Sequence, residues 1–308
     1  MELNYRRTFL YLATIFLLFL SLQLFASILT YQSGPNNVVT LSYGVTEHLG
    51  IVSSDELQSY IRAQCSKHNI TWESATDLGQ PLIGSLKHKL IYKMNVKTGS
   101  TSFKKFLLRL NGSTERYEDM RDVHDMKYQE FNINSVIKGE FEGFFKVGFI
   151  RNPLVRFVSA YRDKVERKGK FGQQFGGNFT TEEKFRNIIE RVINQQLQDI
   201  HFQPQWGKMA LCWFDYDMLG QVEHLGHFIE MMQHATGTED TPFPLSANSA
   251  NSAILTEEYF KGVGEELMGR FYKHFELDFI LTGYTKLGDK MFPYVDLHNP
   301  GTMEIINE

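Results

Sequence analysis

The chain has 308 residues, 42% hydrophobic and 22% charged, the balance of a globular protein and enough length for one large α/β domain or two small ones. A net charge of −4 argues against a general nucleic-acid binder, so no nucleic-acid partner is expected and any cationic site must be local. Two cysteines, Cys65 and Cys212, are too few for a disulfide scaffold or a thiolate metal site; they could form one long-range bridge in an oxidising compartment or remain independent buried thiols.

The first predicted element runs from Phe9 to Leu29, apolar except for Thr14, Ser21, Gln23 and Ser27. That is the roughly 20 residues a helix needs to cross a bilayer. Arg6 and Arg7 precede it, and no Lys or Arg follows before Arg62. The positive-inside rule then leaves a short cytoplasmic tail at 1–8, a signal-anchor at 9–29 and a lumenal remainder. A cleaved signal peptide is the alternative, but its apolar core usually spans only about 7–15 residues. Three sequons, at Asn69, Asn111 and Asn178, agree with lumenal exposure and predict a glycoprotein.

Residues 30–84 read as a stem and peripheral segment: small and polar residues to about Asp55, then a peripheral helix from Asp55 to His68. From about residue 85 onward, apolar runs alternate with helical stripes. This predicts βαβ units and a single α/β domain with a mostly parallel sheet flanked by helices.

Leu90 to Val96 is a short apolar, partly β-branched run, as in a buried strand. Lys97, Thr98, Gly99, Ser100, Thr101 and Ser102 follow, and then Phe103, Phe106, Leu107 and Leu110 mark the stripe of an amphipathic helix. Strand, small-residue loop and helix together aim free backbone N–H groups at an anion. Lys97 and Lys104 add charge at the two ends, so the stretch reads as a phosphate- or phosphosulfate-binding turn.

Phe144 to Ile150 predicts a second buried strand, and Arg151-Asn152-Pro153 turns the chain into a helix, since proline suits the first helical position. Arg151 would lie at a strand's carboxyl end, where ligands bind in open α/β sheets. Ser159 lies two turns into that helix, away from much of its apolar stripe of Leu154, Phe157, Val158, Tyr161 and Val165. The run Arg162, Lys164, Arg167, Lys168, Lys170 is either a solvated helix end or the approach for an acidic polymer. Glu182 to Ile200 predicts an amphipathic helix. Beyond it, His201 stands in a loop, Tyr216 to Val222 predicts a strand, and Glu223 opens another helix. Tyr259 to Tyr284 closes the domain with a long helix and an apolar run, Leu277 to Leu281.

The loop does not end in Gly-Lys-Ser/Thr, no strand-terminal aspartate stands out as a Mg²⁺ ligand, and the histidines lack paired metal spacing. No metal is therefore expected. A lysine-first loop fits a donor whose leaving group is stabilised by protein cations alone, as in sulfuryl transfer, whereas phosphoryl transfer commonly needs the metal.

Three blocks carry a family resemblance. Lys97 to Lys104 resembles the 5′-phosphosulfate loop of membrane-bound carbohydrate sulfotransferases. Phe149 to Pro153 with Arg156 to Lys164 resembles that family's 3′-phosphate segment. His201 to Gln205, Cys212, Tyr216-Asp217, Gly220 and Glu223 are similar to its downstream signature, and Asp278-Phe279 and Tyr284 also fit. The likeness spans about Leu86 to Tyr284 and is nearest the chondroitin, dermatan and HNK-1 branch, although KTGSTSF is also similar to heparan and uronyl 2-O-sulfotransferases. Val96 replaces the usual proline, Ser100 and Phe103 stand where cysteine and tryptophan are frequent, and the segment from Tyr161 to His201 is shorter than in many relatives.

The resemblance implies a P-loop-like sulfotransferase catalytic domain over 85–308 in a Golgi type II membrane protein. Its donor would be 3′-phosphoadenosine 5′-phosphosulfate and its acceptor a glycan or proteoglycan. Thr98, Gly99, Ser100, Thr101 and Ser102 would cradle the phosphosulfate with Lys104 in support. Lys97 would act on the bridging oxygen, and Arg151 and Ser159 would hold the 3′-phosphate. His124 and His201 both stand where the family has a histidine and are the candidate bases, His124 being favoured because it lies between the two donor-binding blocks. A nucleotide-dependent kinase and a non-catalytic lumenal glycan-binding protein are the rival readings.

Overall fold

The computed structural model describes residues 53–71, 81–117, 123–167, 171, 179–244 and 252–284. The expected anchor at 9–29, the stem before residue 53 and the Asn178 sequon lie outside these residues. Among the described residues no helix is long and apolar enough to cross a membrane.

Helix α1 (Ser54–Lys67) begins with a capping box in which Ser53 and Glu56 satisfy each other's backbone N–H groups. Expected at the periphery, it instead buries Leu57, Tyr60, Ile61 and Cys65 in the core. The Ser54 hydroxyl also accepts from the Leu219 N–H at 2.8 Å. Strands β1 (Leu82–Ser85) and β2 (Leu90–Lys93) form a hairpin, and α2 (Ser100–Leu110) follows. Next come β3 (Gln129–Phe131), the short α3 (Ile133–Ile137), β4 (Phe145–Ile150) and α4 (Pro153–Tyr161), which runs into a π-helical turn at Arg162–Glu166.

Helix α5 (Thr181–Ile193) buries Phe185, Ile188, Ile189 and Val192. It stops short of the expected Ile200 because Asn194 caps it and Gln195 turns left-handed at φ 58°. The one-turn α6 (Gln205–Lys208), β5 (Met218–Gln221) and α7 (Leu225–Thr236) complete the middle of the domain. The long closing helix expected from Tyr259 is three helices: α8 (Ser252–Phe260), α9 (Glu265–His274) and α10 (Glu276–Thr282). Gly264, at φ 80°, separates the first two in a conformation a side chain would resist.

The sheet order is β3-β1-β2-β4-β5. It is mixed, not mostly parallel: β2, β4 and β5 pair parallel, while β1 pairs antiparallel with both β2 and β3. The reason is local. Only residues 86–89 join β1 to β2, and Lys89, at φ 47°, donates back to the Leu86 carbonyl at 3.3 Å, so the chain must reverse.

Alternate residues serve opposite layers, as a strand's period of two requires. Leu90, Tyr92, Val147 and Phe149 pack under α2 and α7, whereas Ile91, Ile150 and Leu219 join the larger core with α1, α4, α5, α9 and α10. Phe103, Phe106 and Leu107 of α2 are essentially fully buried, each worth about 1.5–3 kcal/mol. Cys65 and Cys212, which the sequence left open, form a disulfide with Cα atoms 5.8 Å apart.

Gly220 illustrates how tightly β5 is held. A Cβ there would lie 2.7 Å from Phe228 Cγ and 2.8 Å from Phe149 Cε1. Gly220→Ala is expected to destabilise the fold by about 1–3 kcal/mol through overpacking, lowering the urea midpoint; an unchanged midpoint would show that the two rings yield freely.

Candidate functional site

The three parallel strands end on one edge, and each predicted block leaves the sheet there: residues 94–99 after β2, Arg151 after β4 and Glu223 just beyond β5. The turn after β2 is shaped by two left-handed residues, Lys97 at φ 66° and Gly99 at φ 80°. For glycine this conformation is free, but for Lys97 it costs about 1–2 kcal/mol. Backbone strain at such a position has to be held by its surroundings, and it concentrates at functional sites.

Gly99 is also the N-cap of α2, with no side chain bonded to the helix end. The first-turn N–H groups have no intrahelical partner, an arrangement whose partial positive charge favours anions. Thr98 is buried and its hydroxyl donates to the Asn95 carbonyl at 2.9 Å, so it braces the turn. Ser100 is nearly buried, Ser102 half-buried and Thr101 exposed at the helix start.

The Lys97 and Arg151 segments are joined directly. The Arg151 guanidinium Nη1 donates to the Lys97 carbonyl at 3.0 Å. The Lys97 ammonium meets Asp163 Oδ2 at 2.5 Å, from the π-helical turn after α4. Burial pulls the Lys97 ammonium below its ordinary pKa, opposed by Asp163. The Arg151 guanidinium is likewise lowered by burial, opposed by Glu223 and Tyr284. Ser159 is the one position of α4 that is not buried, so it presents a hydroxyl at the surface of an otherwise enclosed helix.

Arg151 is held from behind by Gln205, a fully buried side chain. Its Nε2 donates to the Arg151 carbonyl at 2.7 Å, and its Oε1 accepts from the Arg151 N–H at 3.2 Å and from Asn95 Nδ2 at 3.0 Å. Asp278 of α10 accepts the backbone N–H groups of Gln205 and Trp206 at 2.8–2.9 Å. Burial raises the Asp278 carboxyl to about 6, against the pull of Arg156 and those two donors. Arg156 in turn donates to the carbonyls of His201 and Gln203, tying the third block to the second. Glu223 accepts from the Asn152 N–H at 3.1 Å and from the Tyr284 hydroxyl at 2.5 Å.

Both candidate histidines come to this region. His124 Nε2 lies 3.4 Å from the Thr101 hydroxyl and its Nδ1 3.4 Å from Lys104 Nζ. Burial lowers its pKa, helped by the charges of Lys104, Lys164 and His201, so the two histidines are within electrostatic reach. Lys104 itself is buried in α2, with its ammonium 5.3 Å from the Tyr128 ring centroid. His201 Nδ1 lies 2.6 Å from Asp199 Oδ1. In the basic run, Lys164 meets Asp163 at 3.2 Å and Arg162 meets Glu166 at 3.5 Å, while Lys168 and Lys170 lie outside the described residues.

Sequence reasoning missed the supporting groups Asp163, Asp199, Asn95 and Gln205 as actors. Only Asp199 left a local trace, an Asp two residues before a loop histidine. The Asp163 carboxyl would be raised by burial, but the hydrogen bond and charge of Lys97, with Lys164, hold it below the usual carboxylate range. Its stabilisation is therefore complete above the ordinary carboxylate pKa and is lost as pH falls through the depressed value. The stability gap between wild type and Asp163→Asn is expected to narrow below about pH 4; thermal melts across pH test this, and a gap independent of pH would deny the ion pair that role.

A family model described as "Sulfotransferase family" matches residues 80–285. Among curated proteins the chain is similar to carbohydrate sulfotransferase 10 of Gallus gallus, 25% identical over 234 residues that make up 64% of each chain. It is 24% identical over 229 residues to carbohydrate sulfotransferase 11 of Rattus norvegicus, covering 64% of this chain and 65% of that protein. To carbohydrate sulfotransferase 10 of Xenopus laevis it is 24% identical over 293 residues, covering 82% and 80%. The chain thus spans about 64% of the length of the first of these relatives. No solved structure matches it. The family match runs from the start of the sheet to Tyr284 and takes in all three segments at the strand ends; the chain belongs to the sulfotransferase family.

Proposed function

We propose that this protein is a carbohydrate sulfotransferase that moves a sulfuryl group from 3′-phosphoadenosine 5′-phosphosulfate to a glycan hydroxyl, with a chondroitin-type glycosaminoglycan as acceptor. The observation that carries the reading is the Arg151–Lys97 bond, which brings together at the strand ends two cationic segments far apart in sequence. The uncapped start of α2 offers N–H groups for the 5′-phosphosulfate, with the Ser100, Thr101 and Ser102 hydroxyls beside them. Arg151 and Ser159 would take the 3′-phosphate, where a guanidinium fork suits phosphate oxygens. Two buried polar atoms near this edge, Asn152 Nδ2 and Gln221 Oε1, have no partner within the described residues, which fits a polar ligand over the strand ends.

In the reaction the acceptor oxygen bonds to sulfur while the bond from sulfur to the bridging oxygen breaks, leaving its electron pair on the departing phosphate. Lys97 supplies positive charge to that oxygen as charge develops, an electrostatic role. The partly buried setting strengthens the field of that ammonium at short range, and the ion pair with Asp163 offsets the burial that would otherwise favour the neutral amine. Lys164 and the exposed Arg167 beside the π-helical turn suit an acidic acceptor chain.

The apolar run at 9–29, preceded by Arg6 and Arg7, supports reading it as a signal-anchor and the protein as a Golgi type II membrane protein with a lumenal catalytic domain. The Cys65–Cys212 disulfide supports an oxidising compartment.

Incubation of the full chain with sulfur-labelled donor and a panel of chondroitin, dermatan and heparan acceptors is expected to give labelled product, and disaccharide analysis would identify the position. No transfer to any acceptor, together with no binding of 3′-phosphoadenosine 5′-phosphate, would overturn the proposal. Lys97→Ala is expected to lower kcat by about 10²–10³-fold, the effect of removing one transition-state donor; an unchanged rate would remove Lys97 from the chemistry.

A further inference from the structure

Sulfuryl transfer needs one base to take the acceptor's proton, and two histidines lie at this site. Their hydrogen bonds give them opposite protonation patterns. An ammonium has donors only, so at the 3.4 Å Lys104–His124 contact the imidazole Nδ1 must accept. In neutral His124 the proton then sits on Nε2, which donates to the Thr101 hydroxyl. The lone pair of His124 is already committed, and it faces a cation that would be repelled by a protonated ring.

His201 is arranged the other way round. Asp199 Oδ1 lies 2.6 Å from its Nδ1 and 3.0 Å from its backbone nitrogen, and an ionised carboxylate only accepts. The proton is therefore fixed on Nδ1, and the Nε2 lone pair is left for an incoming group. One further anchor holds the residue in place: its carbonyl accepts from the buried Arg156. Base and orienting carboxylate in hydrogen-bond contact are the arrangement by which a histidine is prepared to take a proton. The side chain is 23% exposed, enough to receive a substrate and afterwards return the proton to water.

We propose, resting on the sulfotransferase reading above, that His201 is the general base, that Asp199 is its positioning residue, and that His124 is a hydrogen-bond donor bracing the first turn of α2. As the acceptor oxygen bonds to sulfur, its proton passes to His201 Nε2. The bridging S–O bond breaks with its electron pair going to 3′-phosphoadenosine 5′-phosphate. Asp199 stays ionised and faces the imidazolium that forms. His124 fixes Thr101 at the donor's end of the site and gives up no proton.

The test compares His201→Gln, His124→Gln, Asp199→Ala and Asp199→Asn in the full chain, with product-nucleotide binding as the check on folding. His201→Gln and Asp199→Ala are expected to lose about 10²-fold or more in kcat, with donor KM and nucleotide binding nearly unchanged. Asp199→Asn, whose amide oxygen can still accept from Nδ1–H, should recover part of that loss. His124→Gln should instead raise donor KM while keeping most of kcat. Wild-type kcat in Asp199→Ala overturns the proposal, as does a kcat loss in His124→Gln as deep as that in His201→Gln. Nitrogen-15 imidazole spectra of the wild-type chain give a readout that does not depend on turnover, with His201 protonated on Nδ1 and His124 on Nε2. The reverse pattern overturns the assignment even in a chain that transfers nothing, whereas absence of transfer with the expected spectra counts against the sulfotransferase reading alone.

Discussion

One glutamine holds the site together. Gln205 has no exposure, and its carboxamide grips both edges of the Arg151 peptide where β4 has run out of sheet to pair with. A peptide at that position would otherwise bury an N–H and a C=O without partners, at about 1–3 kcal/mol for each. Because the same carboxamide oxygen also accepts from Asn95, the turn after β2 is registered against the end of β4. The Arg151 side chain can then reach the Lys97 carbonyl, and the left-handed Lys97 is kept in a conformation it would not adopt alone. Asp278 fixes Gln205 from the opposite side through two backbone amides. Four segments thus converge on a set of polar side chains, each satisfied by the next.

The electrostatics follow from this framework. A chain of net charge −4 gathers Lys97, Lys104, Arg151 and Lys164 around one end of the sheet. Leaving these cations buried and unopposed would be costly. Asp163 opposes Lys97 and Lys164, while Glu223 lies close enough to counter the burial that lowers the Arg151 pKa. The carboxylates neutralise the cluster only in part, which leaves it attractive to a polyanion without opening the core to water.

Local patterns in the sequence revealed what local physics controls. The stripe of Phe103, Phe106, Leu107 and Leu110 and the Asn152-Pro153 start of α4 read correctly because capping and amphipathicity act within a few residues. The mixed sheet was hidden because β1 and β3 are four and three residues long, too short for an alternating pattern to show. The break at Gly264 did leave a local trace, two glycines at 262 and 264 followed by the acidic first turn of Glu265 and Glu266, which the long helix expected from Tyr259 overlooked. Partners such as Asp163, Asp199 and Gln205 matter only through what the fold sets beside them, and apart from the closeness of Asp199 to His201 no spacing announces them. Lys97, Arg151 and His201 were legible as chemical types; which carboxylate faces each was not.

The disulfide between Cys65 and Cys212 has a topological consequence for the site. Lys97, His124, Arg151, Ser159, Asp199, His201 and Gln205 all lie between the two cysteines in the chain, inside a single covalent ring. One cut anywhere in that ring opens it without dividing the molecule, so both halves of a severed site stay tethered to each other through sulfur. A nicked protein would keep the donor loop and the histidine segment at high effective concentration, and would separate only after reduction.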